Sequence, residues 1–229
     1  MADRQAWPRP LALSFYDRGA EVVARELLGC VLCRRAGSQV LTGRIVETEA
    51  YVGQADRACH AWCGRTLRNT VMFGPPGHAY VYFIYGMYDM LNVVCQPPGQ
   101  PEAVLLRAVQ PLQGIAAMRR RRGSVSPTRL ANGPGKLCRA FAIGRRDNGA
   151  DLRGRWLWIA PGRLHDGERI ATSPRIGVDY AGADALRPLR FYIADNPHVS
   201  RPASRRGRSD PRAVRPAAAR SRGAARRSA

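Results

Sequence analysis

No stretch of this chain approaches the ~20 consecutive apolar residues that a bilayer-spanning helix needs, and the opening MADRQAWP lacks the apolar core of a secretory leader. Both absences argue against a membrane partner and for a cytosolic protein, lying with the nucleoid if the source is bacterial. Cysteine is scarce. Cys30, Cys33, Cys59, Cys63, Cys95 and Cys138 follow no secreted-domain spacing, which argues against a disulfide framework and predicts reduced thiols. No internal repeat is present, and no linker precedes about residue 198. Lysine is nearly missing, with Lys136 the only one.

What the chain does have is arginine. Its formal net charge is +20 over 229 residues; the segment 200–229 carries +9 of it, from ten arginines against Asp210, and residues 1–199 carry the remaining +11. That last segment has no Ile, Leu, Phe, Tyr or Trp, so it buries too little apolar surface to offset the entropy of ordering and is predicted to be a disordered basic tail. A charge of this sign on both body and tail suits a polyanion such as nucleic acid, whose condensed counterions are released on binding.

Residues 1–199, 45% hydrophobic in the chain as a whole, are long enough to bury one core, which predicts a single domain. "SFYDRGAEVVARELLGC" reads as one helix, with Ser14 as N-cap and Gly29 as stop. "QVLTGRIVETEAY", "AYVYFIYG", "MLNVVC" and "AVLLRAV" alternate or are β-branched and read as strands, as do "RWLWIA", "RIGV" and "LRFYI" further on. "LQGIAAMRRRR" and "GKLCRAFAI" read as helices. The expected fold class is α/β mixed (α+β), a curved and largely antiparallel sheet with flanking helices and no doubly wound βαβ order.

Chemistry concentrates in "RIVETEAYVGQADRACH". Side chains at alternate strand positions share a face, so Glu47, Glu49 and Tyr51 point the same way, with neighbouring carboxylates ~7 Å apart. Three uses fit such a pair: acid–base work at a glycosidic carbon, a divalent metal held with Asp56 or His60, or plain charge balance with nearby arginines. Cys30 and Cys33 with Cys59, His60 and Cys63 offer a zinc set, but no knuckle turn surrounds either pair and "LLGCVLC" reads as buried apolar chain.

Between Tyr80 and Tyr88 stand four tyrosines and Phe83. On a strand, Tyr80, Tyr82 and Ile84 take one face and Val81, Phe83 and Tyr85 the other, until Gly86 breaks the pattern. A buried tyrosine must find a partner for its hydroxyl, so such a stripe makes a costly core but a good platform for stacking bases.

These motifs, with "RNTVMFGPPGHAYVYFIYGMYDMLNVVC", "VLLRAVQPLQG", "GPGKLCRAFAI" and "RPLRFYIADNPHVS", resemble the alkyladenine (3-methyladenine) DNA glycosylase family from about Leu11 to Ser200. The resemblance implies a domain over 1–199 that flips alkylated or deaminated purines out of double-stranded DNA and hydrolyses the N-glycosidic bond, as a monomer without cofactor or metal. Carried over motif by motif, it implies Glu49 as the base that activates water and Arg107 as its support. It also implies Tyr51, His60 and Tyr82 as rings around the base, Asn92 at the pocket floor, and Tyr85 as the side chain that intercalates where the nucleotide was. Lys136 lies far from the carboxylate motif, which disfavours a Schiff-base, strand-nicking enzyme. Three features depart from the family pattern: Trp62-Cys63 after His60, Leu67 where proline is common, and the Arg-rich tail. Two other classes compete: a metal-dependent nuclease using Glu47, Glu49 and Asp56, and a non-catalytic nucleic-acid binder.

Overall fold

A computed structural model of the chain describes residues 8–200. The expected tail therefore lies outside the described residues, except Ser200, which the sequence places with the tail and the structure buries in the body. Among the described residues, eight strands form one sheet, in which every strand pairing is antiparallel: β1 (Val31–Ala36), β2 (Gln39–Tyr51), β3 (Ala79–Ile84), β4 (Tyr88–Cys95), β5 (Glu102–Gln113), β6 (Leu157–Ala160), β7 (Ile170–Ser173) and β8 (Arg190–Ile193). The order runs β3-β4-β5-β2-β1-β6, and β8 joins β2 to β7. Helices α1 (Leu13–Tyr16), α2 (Ala20–Glu26), α3 (Ile115–Arg122) and α4 (Pro134–Phe141) flank it. The α+β expectation holds.

β2 organises the molecule. It pairs with β5 along one edge, while the other edge is shared, β1 taking residues up to Arg44 and β8 taking Glu47 to Glu49. The β2–β5 register slips on either side of Glu47, a bulge that bends the strand. Beyond it the alternation is clean. Val46 and Ala50 enter the main core and Thr48 Oγ1 donates to the Ala24 carbonyl of α2. Glu47, Glu49 and Tyr51 take the opposite side.

Four sequence expectations are corrected. The single helix from Ser14 is two, because the chain breaks at Asp17-Arg18-Gly19 and α2 restarts where Glu102, 82 residues away, accepts the Ala20 N–H at 2.7 Å. Ser14 lies inside α1 rather than capping it. Leu112 and Gln113 belong to β5, since Gly114, at φ 75°, ends the strand before α3; a Cβ there would come within 2.2 Å of Leu41. "RIGV" is a loop, the strand being Ile170–Ser173 just before it. β1 went unread because its apolar half resembles any buried run.

Candidate active site

The β3-β4-β5-β2 part of the sheet lines a cavity of about 260 Å³. That is near the lower end of small-molecule pockets, ~300–1,000 Å³, and suits one heterocycle rather than an extended ligand. β3 contributes Tyr80, Tyr82 and Ile84, β4 Met90 and Asn92, β5 Leu105 and Arg107, and the end of β2 Tyr51. His60 comes from the loop after β2, while Ile176, Gly177 and Tyr180 close another side.

Its aromatic walls are tied together. His60 and Tyr82 meet edge to face with centroids 4.5 Å apart, so they form one continuous wall rather than two sides of a slot. His60 Nδ1 lies 3.0 Å from the Tyr80 hydroxyl. Burial, assisted by the charge of Arg68, pushes the His60 pKa down to about 4, so the imidazole is neutral at pH 7. Burial also pushes Tyr80 up to about 12 and Tyr51 and Tyr82 well above their usual range, so these phenols keep their protons. Asn92 donates through Nδ2 to the carbonyls of Tyr80 and Met90, which leaves its side-chain oxygen as the atom it offers to a ligand.

Arg107 and Glu49 sit at the back. Glu49 is completely buried and does not itself line the cavity; three groups that do line it hold its carboxylate. The Tyr51 hydroxyl donates to Oε2 at 3.0 Å, the Ile176 N–H donates to Oε1 at 2.8 Å, and Arg107 Nη1 lies 3.1 Å from Oε2. Behind Arg107 lies Glu47. One of its oxygens accepts from Arg107 Nε (3.0 Å), Arg190 Nε (2.7 Å) and Ser200 Oγ (2.8 Å), and the other accepts from Ser200 N–H at 2.6 Å. Arg44, three residues before Glu47 in the sequence, pairs instead with Glu168.

The competing donor sets look different in three dimensions. Asp56 is locked to Arg175 by two contacts of 2.5 and 2.8 Å, Glu47 to two arginines, and Glu49 to Arg107, so each carboxylate proposed to hold a cation already faces a guanidinium. Cys30 and Cys33 pack into different apolar clusters.

Tyr85 departs from the strand reading. β3 ends at Ile84, and Tyr85 and Gly86 take positive φ values of 54° and 66°, the signs a type I′ hairpin turn requires. The turn carries Tyr85 to the mouth of the cavity, with the residue 74% exposed, instead of to the face of Val81 and Phe83. All seven residues carried over from the resemblance thus gather here: Tyr51, His60, Tyr82, Tyr85, Asn92 and Arg107 on the cavity and Glu49 one layer behind it. Sequence reasoning missed Arg175, Ile176 and Tyr180. Pro174 and Gly177 on either side were the available loop signals.

A family model described as methylpurine-DNA glycosylase (MPG) matches residues 14–197. A protein of Methanocella arvoryzae is 51% identical over 83% of this chain and 96% of its own length. One of Carboxydothermus hydrogenoformans is 48% identical, covering 83% and 98%, and one of Myxococcus xanthus 47% identical, covering 82% and 92%. All three are provisionally named 3-methyladenine DNA glycosylase.

Proposed function

Because the chain belongs to the methylpurine-DNA glycosylase family, we propose that it excises alkylated purines, 3-methyladenine and 7-methylguanine above all, from double-stranded DNA as a monomer. The observation that carries the reading is the pairing of an aromatic cavity sized for one base with a buried carboxylate held against its back wall by Tyr51, Ile176 and Arg107.

A duplex hides the reacting C1′, so the nucleotide must leave the stack, and a damaged base does so at lower cost. Tyr85, exposed at the hairpin tip beside the cavity mouth, fills the gap. Tyr51, His60 and Tyr82 receive the base. A cationic purine on an aromatic face gains roughly 0.5–2 kcal/mol over a neutral one, and neutral His60 adds no repulsion. As the C1′–N bond breaks, its electron pair leaves with the base, and the sugar develops oxocarbenium character. Glu49 takes a proton from water while the water oxygen bonds to C1′, and Arg107 orients that carboxylate. Room for this water requires the Tyr51–Glu49 hydrogen bond to loosen when DNA binds, as catalytic contacts in free enzymes often rearrange. The products are free base and an abasic site.

A 3- or 7-alkylated purine departs neutral without further help, whereas hypoxanthine needs a proton. The cavity supplies no group disposed to give one at pH 7, since His60 is already neutral and the phenols hold theirs. Deaminated purines are therefore expected to be released more slowly, which the same assay on a hypoxanthine duplex measures. Incubation with methylated duplex in the presence of chelator, followed by chromatography of freed purines, tests the reading. Release of 7-methylguanine and 3-methyladenine is expected; strand scission that chelator abolishes points to the nuclease, and binding without release to the non-catalytic binder.

A further inference from the structure

We propose that Arg175 is a positioning residue of this reaction centre: locked to Asp56, its guanidinium fixes both the ring of Tyr51 and the backbone N–H of Ile176 that holds Glu49. The proposal rests on the glycosylase reading above and names a part of the machinery outside the cavity lining.

Both members of the ion pair are wholly buried. Arg175 Nη1 reaches Asp56 Oδ2 and the Ala50 carbonyl at 3.0 Å, and Nη2 reaches Asp56 Oδ1 and the Asp184 carbonyl at 3.1 Å. Ala50 is the residue between Glu49 and Tyr51, so the first of these carbonyl contacts pins β2 at the point where both functional side chains leave it. The guanidinium carbon lies 4.9 Å from the centroid of the Tyr51 ring, in reach of a cation–π contact. Its own chain neighbour, Ile176, then donates to Glu49 Oε1 at 2.8 Å. Asp56, in turn, accepts the N–H groups of Val52 and Ala58, which shapes the loop that carries His60. One planar fork therefore ties the segment after β7 to both the strand end and the His60 loop, across 119 to 127 residues of sequence. Four acceptors and a ring within 4.9 Å demand guanidinium geometry; a lysine ammonium supplies the charge but not the fork.

Breaking a buried pair also destabilises, so the test must separate stability from positioning. Three full-length variants serve: Arg175→Lys, the neutral double variant Arg175→Met with Asp56→Asn, and Arg44→Lys, which weakens the half-buried Arg44–Glu168 pair outside the cavity lining. Single-turnover release of 7-methylguanine at saturating protein, affinity for a duplex with an abasic-site analogue, and thermal unfolding are measured for each. Arg175→Lys is expected to slow release ~10–100-fold, the scale of a misplacement of about 1 Å, with analogue affinity changed by less than ~3-fold. The double variant leaves no buried charge unpaired and should regain thermal stability, yet stay slow. Arg44→Lys should lower thermal stability without slowing release. A folded double variant that releases base at the parental rate overturns the proposal, as does an Arg44→Lys that is as slow as Arg175→Lys. A parental protein that releases no base overturns the glycosylase reading as well, and that result is distinct because it precedes any variant.

Discussion

Glu47 and Glu49 stand two residues apart on the same strand, are equally buried and touch the same arginine, yet their surroundings differ. Glu47 receives two guanidinium groups, a hydroxyl and a backbone N–H, none of which belongs to a cavity wall except Arg107. Glu49 receives a phenol, a backbone N–H and Arg107, all from residues that line the cavity. Burial and charge partners alone do not identify a reactive carboxylate. What separates the two is whether the groups that hold the carboxylate line the cavity.

The comparison breaks most sharply at Glu49. Glu49→Gln keeps shape but accepts no proton, and base release should fall at least ~100-fold, as for loss of a general base, while an abasic-analogue duplex binds with near-parental affinity. Single-turnover excision with circular dichroism on the same sample checks this. Glu47→Gln should behave in the opposite way. It leaves Arg190 and Arg107 short of a buried counter-charge, so denaturant unfolding should show a loss of about 3–5 kcal/mol, while the molecules that remain folded still excise. If the folded Glu47→Gln is inert and Glu49→Gln active, the assignment is inverted.

Smaller effects sharpen the cavity side. Tyr85→Ser should weaken binding to a lesion in duplex DNA more than to the same lesion in a single strand, measured by parallel titrations, because only the duplex has a gap to fill. Equal losses would place the ring in the base pocket instead. The subtlest effect concerns His60. Its folded-state pKa lies below the ordinary 6.5, so the unfolded chain binds the proton more readily and stability declines as pH falls from about 6.5 to about 4. His60→Gln should flatten that part of the stability–pH curve, and NMR titration of the ring should show it neutral at pH 6.

Much of this was legible in one dimension. The alternation in "RIVETEAY" sets Glu47, Glu49 and Tyr51 on one side of β2, and the tyrosine spacing of β3 sets Tyr80 and Tyr82 on the cavity. The strand face given to Tyr85 is wrong because strand periodicity was carried one residue past the point where the turn begins. Arg175 escaped notice for another reason. Nothing local marks an arginine whose partner is Asp56, and "RIGV" has the β-branched look of a strand although its backbone is committed to Glu49 and its side chain to Asp56. Arg34, buried in β1 against Asp147, is a second case: a pair 113 residues apart turns a surface-looking residue into core.

Ser200 has a consequence for how the molecule comes into being. Its two hydrogen bonds to Glu47 close a separation of 153 residues, the kind of contact whose entropy must be met before it returns any stability. A chain still being synthesised presents Glu47 and Arg107 long before Ser200 exists. The layer that backs the candidate reaction centre is therefore completed only when nearly the whole body has been made, and a product stopped even one residue short of Ser200 would carry a buried carboxylate missing two of its donors.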